Sequence, residues 1–257
     1  MIRKSTLILA VAAAVLFIGM GCDSVVTLDK PTVTAAAITP GTTLRLQWTA
    51  VTDAESYQIT TDDSVYTTTS ESFDVTAPTK TIEVRAVNGN DESDPTTIDC
   101  KVKETSSIVL YGISDPNADH PSGLAFTGEG VASPLSLSDA NKPNIDYVCD
   151  DENISPVGLV NAGDYGWSGN TKVNTAMDAG STDYDAFKQA ATSGYSSQTT
   201  IASNGLYTLW VSNSQGWTVN DHFAKAKIVS IEDVGGVQKV TLKVGYQKIG
   251  GLRWLMN

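Results

Sequence analysis

The sequence predicts a mostly β protein: a β-sandwich followed by a larger antiparallel β-rich domain with one short helix. Three observations carry that expectation. Apolar and polar residues alternate with period two in short runs between residues 31 and 103, and again between 206 and 247. Gly, Pro, Asn and Asp clusters separate those runs, and Thr, Ser and Val are abundant, a mixture that favours strands and turns over helices. A helical pattern surfaces once, at 181–194.

The chain opens on Arg3 and Lys4, followed by Leu7 to Gly21, which is apolar or small throughout. Those 15 residues are short of the roughly 20 that span a bilayer. A charged start, a short apolar stretch and small residues at its end describe an export signal over 1–21. The small residues of "FIGMGCDS" lead directly into Cys22. This arrangement resembles the lipobox of bacterial lipoproteins, with Ile18 one place further back than the usual aliphatic position, which Gly19 holds. The resemblance implies cleavage before Cys22, acylation of its thiol, and anchoring to a membrane without crossing it. The implied address is exported and lipid-anchored, with the outer membrane or cell surface favoured over the inner membrane. The alternative is a plain cleaved secretory signal with Cys22 an ordinary thiol. Residues 22–30 read as a linker.

Without residues 1–21, which hold Arg3 and Lys4, 15 basic residues face 29 acidic ones, a net of −14. Such a chain repels phosphate backbones, so nucleic acid is disfavoured as a partner. Two cysteines remain besides Cys22. A Cys100–Cys149 bridge closing so long a loop would contribute on the order of 4 kcal/mol. Alternation argues against it. Ile98, Cys100 and Val102 share one strand face, and Ile145, Tyr147 and Cys149 share another, so each cysteine reads as a small core residue of its own domain.

In the first domain, 31–103, Leu44, Leu46 and Trp48 alternate with Arg45 and Gln47. Tyr57 and Ile59 flank Gln58, and Ile82, Val84 and Ala86 alternate with Glu83 and Arg85. Turns are expected at "PGT" 40–42, "TDD" 61–63 and "NGND" 88–91. The stretches "LRLQWTAVTDAESYQI" and "KTIEVRAVNGNDESDP" resemble the signature segments of fibronectin type III domains, with Trp48 and Tyr57 at the family's core positions. The resemblance implies a spacer, an adhesion module or a partner-binding surface, and the spacer is the plainer reading.

In the second domain, 104–257, "NGLYTLWVSN", "HFAKAKIVSI" and "VQKVTLKVGYQ" read as strands, the last two joined into a hairpin by Gly235 and Gly236. "STDYDAFKQAATSGY" offers Ser181 or Thr182 as a cap, acids in a first turn and Gly194 as a stop, with Tyr184, Phe187 and Ala191 on one face. The block from 205 to 247 resembles the C-terminal part of HmuY-like lipoproteins, some of which capture haem. Haem-binding members use paired histidines or methionines, and this chain holds only His120 and His222.

The remaining motifs weigh against catalysis. "DPNADH" at 115–120 lacks the glycine and the final glutamate of a calcium loop and reads as a turn. "CDDEN" at 149–153 reads as a solvated acidic loop before a calcium site. Neither a zinc ligand set, nor G-x-S-x-G, nor a phosphate-binding glycine loop occurs. Trp167 and Trp217 in glycine-containing loops, and Trp210 on the less apolar face of its strand, could stack a sugar or a flat ligand, or close the ends of the core. With His222 they are the candidate ligand-binding residues. Trp254 is expected to dock the tail. The expectation is a membrane-anchored, non-enzymatic lipoprotein with a binding, adhesion or structural role. It takes an unknown surface ligand, glycan or protein and requires no cofactor. The alternatives are a haem-binding lipoprotein and a carbohydrate-binding or carbohydrate-active module.

Overall fold

A computed structural model describes residues 26–127, 129–181 and 183–257. The expected export signal, Cys22 and the candidate cap Thr182 lie outside the described residues. The N-terminal part is a sandwich of two antiparallel sheets. One contains β1 (Val33–Ile38), β2 (Thr43–Trp48) and β5 (Ser72–Val75). The other contains β3 (Ser56–Thr60), β4 (Val65–Thr68), β6 (Thr81–Asn88) and β7 (Asp91–Glu92), with β8 (Thr96–Asp99) also on β6. The alternation is realised: Leu44, Leu46, Trp48, Tyr57, Ile59, Ile82, Val84 and Ala86 are buried in one core. Trp48 meets Tyr57 edge-on at 5.2 Å, and the Tyr57 hydroxyl accepts the Val51 amide.

All three expected turns form, between β1 and β2, β3 and β4, and β6 and β7. Part of the expected 22–30 linker packs on this sandwich. The Val26 amide donates to Asp91, and Leu28 is buried in the sandwich core.

The C-terminal part is a second, larger sandwich. One sheet runs in the order β11 (Ala132–Leu135), β10 (Gly123–Phe126), β12 (Tyr147–Asp150), β13 (Gly158–Asn161), β15 (Gln198–Thr200). The other runs β14 (Thr175–Asp178), β16 (Leu206–Val211), β17 (His222–Val234), β18 (Val237–Tyr246), β9 (Lys103–Tyr111). The β17–β18 hairpin turns on Gly235 and Gly236 at φ of 69° and 94°, values that suit glycine. Two bulges bend this sheet. One lies in β17 between Ile228 and Ser230, and one lies opposite Lys243, where Ser107 takes φ 59°.

Cys100 lies in the first core and Cys149 in the second, both buried and free, as the alternation requires. Ile145 departs from the face assigned to it. It precedes β12 and packs with Val148 on the outside of its sheet, while Tyr147 and Cys149 face the core.

The expected helix at 181–194 is absent. Asp183 accepts the amides of Asp185 and Ala186, closing a single turn. The carbonyls of Tyr184 and Phe187 then turn to the Lys225 ammonium, at 2.7 and 3.4 Å. Further on, the Ala190 amide donates to Arg253 and the Leu255 amide to Lys188, so the segment pairs with the C-terminal tail instead of with itself. Ala190, not Ala191, is the buried alanine.

This segment and the tail cover the outer face of the β14–β9 sheet. Hence β16 and the start of β17 are buried on both faces, although the sequence alternates there as if one face met water. The tail also reaches the first sandwich. Leu252 and Trp254 belong to its core, the Arg253 amide donates to the Gly41 carbonyl, and the Trp254 indole donates to Thr42.

Candidate functional site

A concavity of about 420 Å³ lies at one end of the C-terminal sandwich. Four strand ends build it: Phe126 closes β10, Val211 closes β16, His222 opens β17 and Tyr246 closes β18. The loop 212–221 and Lys172 complete the wall.

The rings form a pile. Tyr246 lies between Phe126, at 5.2 Å, and His222, at 5.0 Å, with interplanar angles of 24° and 22°. Offset stacking of this kind fixes rings by dispersion and quadrupole complementarity. His222 Nδ1 lies 3.0 Å from the Gln247 carbonyl. A carbonyl only accepts, so Nδ1 carries the proton and Nε2 of the neutral ring is the acceptor.

A buried polar network sets the floor. Asp146 has no exposed surface. Its carboxylate accepts the Phe126 amide at 2.7 Å, Asn174 Nδ2 at 3.1 Å and Lys172 Nζ at 2.9 Å. Asn174 in turn accepts the Ser212 amide, tying the floor to the loop. Asp221 organises the loop itself. It accepts Trp210 Nε1, the Ser212 hydroxyl, and both the amide and hydroxyl of Thr218, at 2.7–3.0 Å. With four donors on one buried carboxylate, the loop is held in place before any ligand arrives.

Several solvent-accessible polar groups on the cleft take no partner from the described residues: the Tyr246 hydroxyl, His222 Nε2, and the side-chain amides of the exposed Asn213 and Asn220. Tyr246 is 3% exposed, and burial beside the Asp146 charge pushes its phenol pKa up, so the hydroxyl keeps its proton.

Of the four candidate ligand-binding residues, only His222 lines this cleft. Trp167 covers the outer face of the β11–β15 sheet, stacked on Tyr165 at 4.9 Å with Lys142 above it at 5.7 Å. Trp210 packs between Tyr195 and Phe223 on the other sheet's outer face, and borders a smaller pocket of about 150 Å³. Trp217 donates its indole N–H to Gly251 and packs where the first core meets the covered outer face.

The site residues that sequence reading passed over are Phe126, Lys172, Asp146 and Tyr246. Tyr246 falls in the expected strand "VQKVTLKVGYQ", but nothing local marks a strand-end tyrosine as lining a cleft.

Haem capture through paired histidines does not fit. His120 lines a different pocket, stacked on Tyr111 at 4.0 Å with its Nδ1 2.6 Å from Asp115. The acidic loop is solvated in part: Glu152 and Asn153 are exposed, while Asp150 and Asp151 are engaged within the fold. Asp150, 1% exposed, accepts two amides, Asn153 Nδ2 and the Tyr165 hydroxyl. Asp151 takes the Ser114 amide and hydroxyl and the Gln238 amide. Protein donors therefore occupy the carboxylates of Asp150 and Asp151 that a calcium ion would use.

No family model matches the chain, and no curated protein matches it. A solved structure named "Structure of FN3tt mut" is similar to part of it, at 26% identity over 28% of this chain and 92% of that one, with a TM-score of 0.25.

Proposed function

We propose that this is an exported, lipid-anchored, non-enzymatic binding protein whose ligand seats in the cleft between Phe126, Tyr246, His222 and the 212–221 loop. Cys22 is the acylation site in this reading. The N-terminal sandwich is a fibronectin type III-like module that sets the cleft off from the membrane. The observation that carries the reading is the conjunction of a preorganised wall with unpaired polar groups. Polar groups open to the cleft, the Tyr246 hydroxyl among them, can exchange water for a partner from outside, and the cleft has the size of a small-ligand site. The lack of any resident donor on Tyr246 and His222 Nε2 supports binding, and the saturation of Asp221 supports a rigid frame around it.

The test is a ligand-observed NMR screen of a library of small polar fragments against the protein and against Val211→Trp. That substitution puts an indole where a half-buried valine borders the cleft. Fragments that bind the wild type, compete with one another and are lost with Val211→Trp carry the proposal. A screen without such fragments, or hits untouched by Val211→Trp, overturns it. Haem added to the same protein is expected to give no saturable Soret shift, because His222 and His120 line different pockets and form no axial pair.

A further inference from the structure

The cleft binds a neutral saccharide: so we infer from its charge balance and its pattern of unpaired groups, and the inference rests on the cleft being a ligand site at all. Charge decides first among ligand classes. Lys172 is the cation on the cleft wall, and it is bound to Asp146, a carboxylate with no exposed surface. Asp221 adds a second negative charge, and its oxygens are taken by four protein donors. An anionic ligand would meet one compensated ammonium, two carboxylates and a chain of net charge −12. A cationic ligand would find the carboxylates already engaged. A neutral ligand suffers neither penalty.

Hydrogen-bonding pattern decides next. The unpaired groups are a phenol hydroxyl, an imidazole acceptor and two carboxamides, each amide both donor and acceptor. Together with the remaining Lys172 N–H groups they offer donors and acceptors around an open cleft. A neutral partner that matches this mixture carries several hydroxyls, each able to give and accept. The half-buried ring of Phe126 and the Val211 methyls supply the apolar surface that the C–H face of a sugar ring covers. The volume, about 420 Å³, lies within the usual range for small-ligand sites, about 300–1,000 Å³. Tyr246 is the residue on which the assignment turns, because its ring is fixed in the pile that lines the cleft and its hydroxyl takes no donor or acceptor from the described residues.

The experiment titrates the protein with four neutral tetrasaccharides (cellotetraose, maltotetraose, mannotetraose and xylotetraose) and with two anionic probes, tetragalacturonate and a heparin tetrasaccharide. Binding is read by calorimetry and by saturation-transfer NMR. At least one neutral probe is expected to bind saturably at millimolar concentration or below, and no anionic probe is. Tyr246→Phe keeps the ring pile and removes one hydroxyl, so it is expected to weaken binding about tenfold with the melting temperature unchanged. Val211→Trp is expected to abolish binding.

Failure of every neutral probe, binding of the anionic probes alone, or binding that survives Val211→Trp overturns the inference. If polar fragments still occupy the cleft while every tetrasaccharide fails, only the saccharide assignment falls. If neither binds, the cleft itself is not the site.

Discussion

Lys225 sits on β17 with no exposed surface, its ammonium 2.7 Å from the Tyr184 carbonyl and 4.2 Å from the centre of the Tyr184 ring. Lys243 approaches the same ring at 4.2 Å. Burial lowers the Lys225 pKa from 10.5 to about 8, outweighing the pull of Asp185 and Glu104 toward the charged form. The sign of the linkage follows. Between pH 8 and 10.5 the folded chain binds fewer protons at this site than the unfolded chain, so this group's contribution to stability rises with pH across that window. Tyr147, Tyr184, Tyr195 and Cys100 pull the other way. Burial raises their values, and the unfolded chain therefore ionises first as pH climbs beyond about 9–10. Only a difference experiment isolates the lysine. The stability of wild type minus that of Lys225→Met, from urea unfolding, is expected to increase by on the order of 2 kcal/mol between pH 7 and pH 10. A difference that stays flat would mean that Lys225 keeps an ordinary pKa in the fold.

At the scale of the element, 183–196 shows what a sequence can carry and what it cannot. Acids at 183 and 185, aromatics at 184 and 187 and a glycine at 194 are honest local helix signals. They lose because Lys225 and the tail, far along the chain, provide stronger partners for the same carbonyls and amides. Tertiary context overriding propensity in this way is invisible to a local window. The hairpin strands, the turns at 40–42, 61–63 and 88–91 and the separation of the cysteines were legible because each depends on neighbours a few residues away. The cleft was not. Its wall joins the ends of β10, β16, β17 and β18, and its floor rests on Asp146, which alternation places opposite Tyr147 without saying that an outer layer covers it. Hydrogen exchange tests the element directly. The amides of Ala190 and Leu255, bonded to Arg253 and Lys188, are expected to exchange slowly and in step, while those of Lys188 and Gln189 exchange fast. Uniform protection from 186 to 192 would instead mark a helix.

The whole molecule is held by its last few residues. Trp254 has no exposed surface and lies in the core of the N-terminal sandwich, yet its neighbours Arg253 and Leu255 are paired with 188–190 on the C-terminal one. Arg253 spans the junction. Its guanidinium lies 4.1 Å from the Phe223 ring and 4.8 Å from Trp210, and it donates to the carbonyls of Pro40 and Ala191. Gly41 sits directly opposite at φ 91°, where a Cβ would come within 2.1 Å of the Gly251 carbonyl. The connection between sandwiches is thus a packed interface that shares core residues, and not a hinge. Inter-domain motion is the default only where such an interface is small and polar. One cooperative calorimetric transition is therefore expected for the intact protein. Trp254→Ala removes an indole from the first core at a cost of about 3–5 kcal/mol and loosens the tail at once, so two separate transitions are expected. Gly41→Val should split them as well, because its Cβ would meet the Gly251 carbonyl and the Trp217 indole across the junction, at a φ of 91° that a β-branched residue rarely adopts. Trp254→Phe keeps most of the packing and should preserve the single transition. Two transitions in the wild type, or one in both Trp254→Ala and Gly41→Val, would show that the tail does not couple the sandwiches.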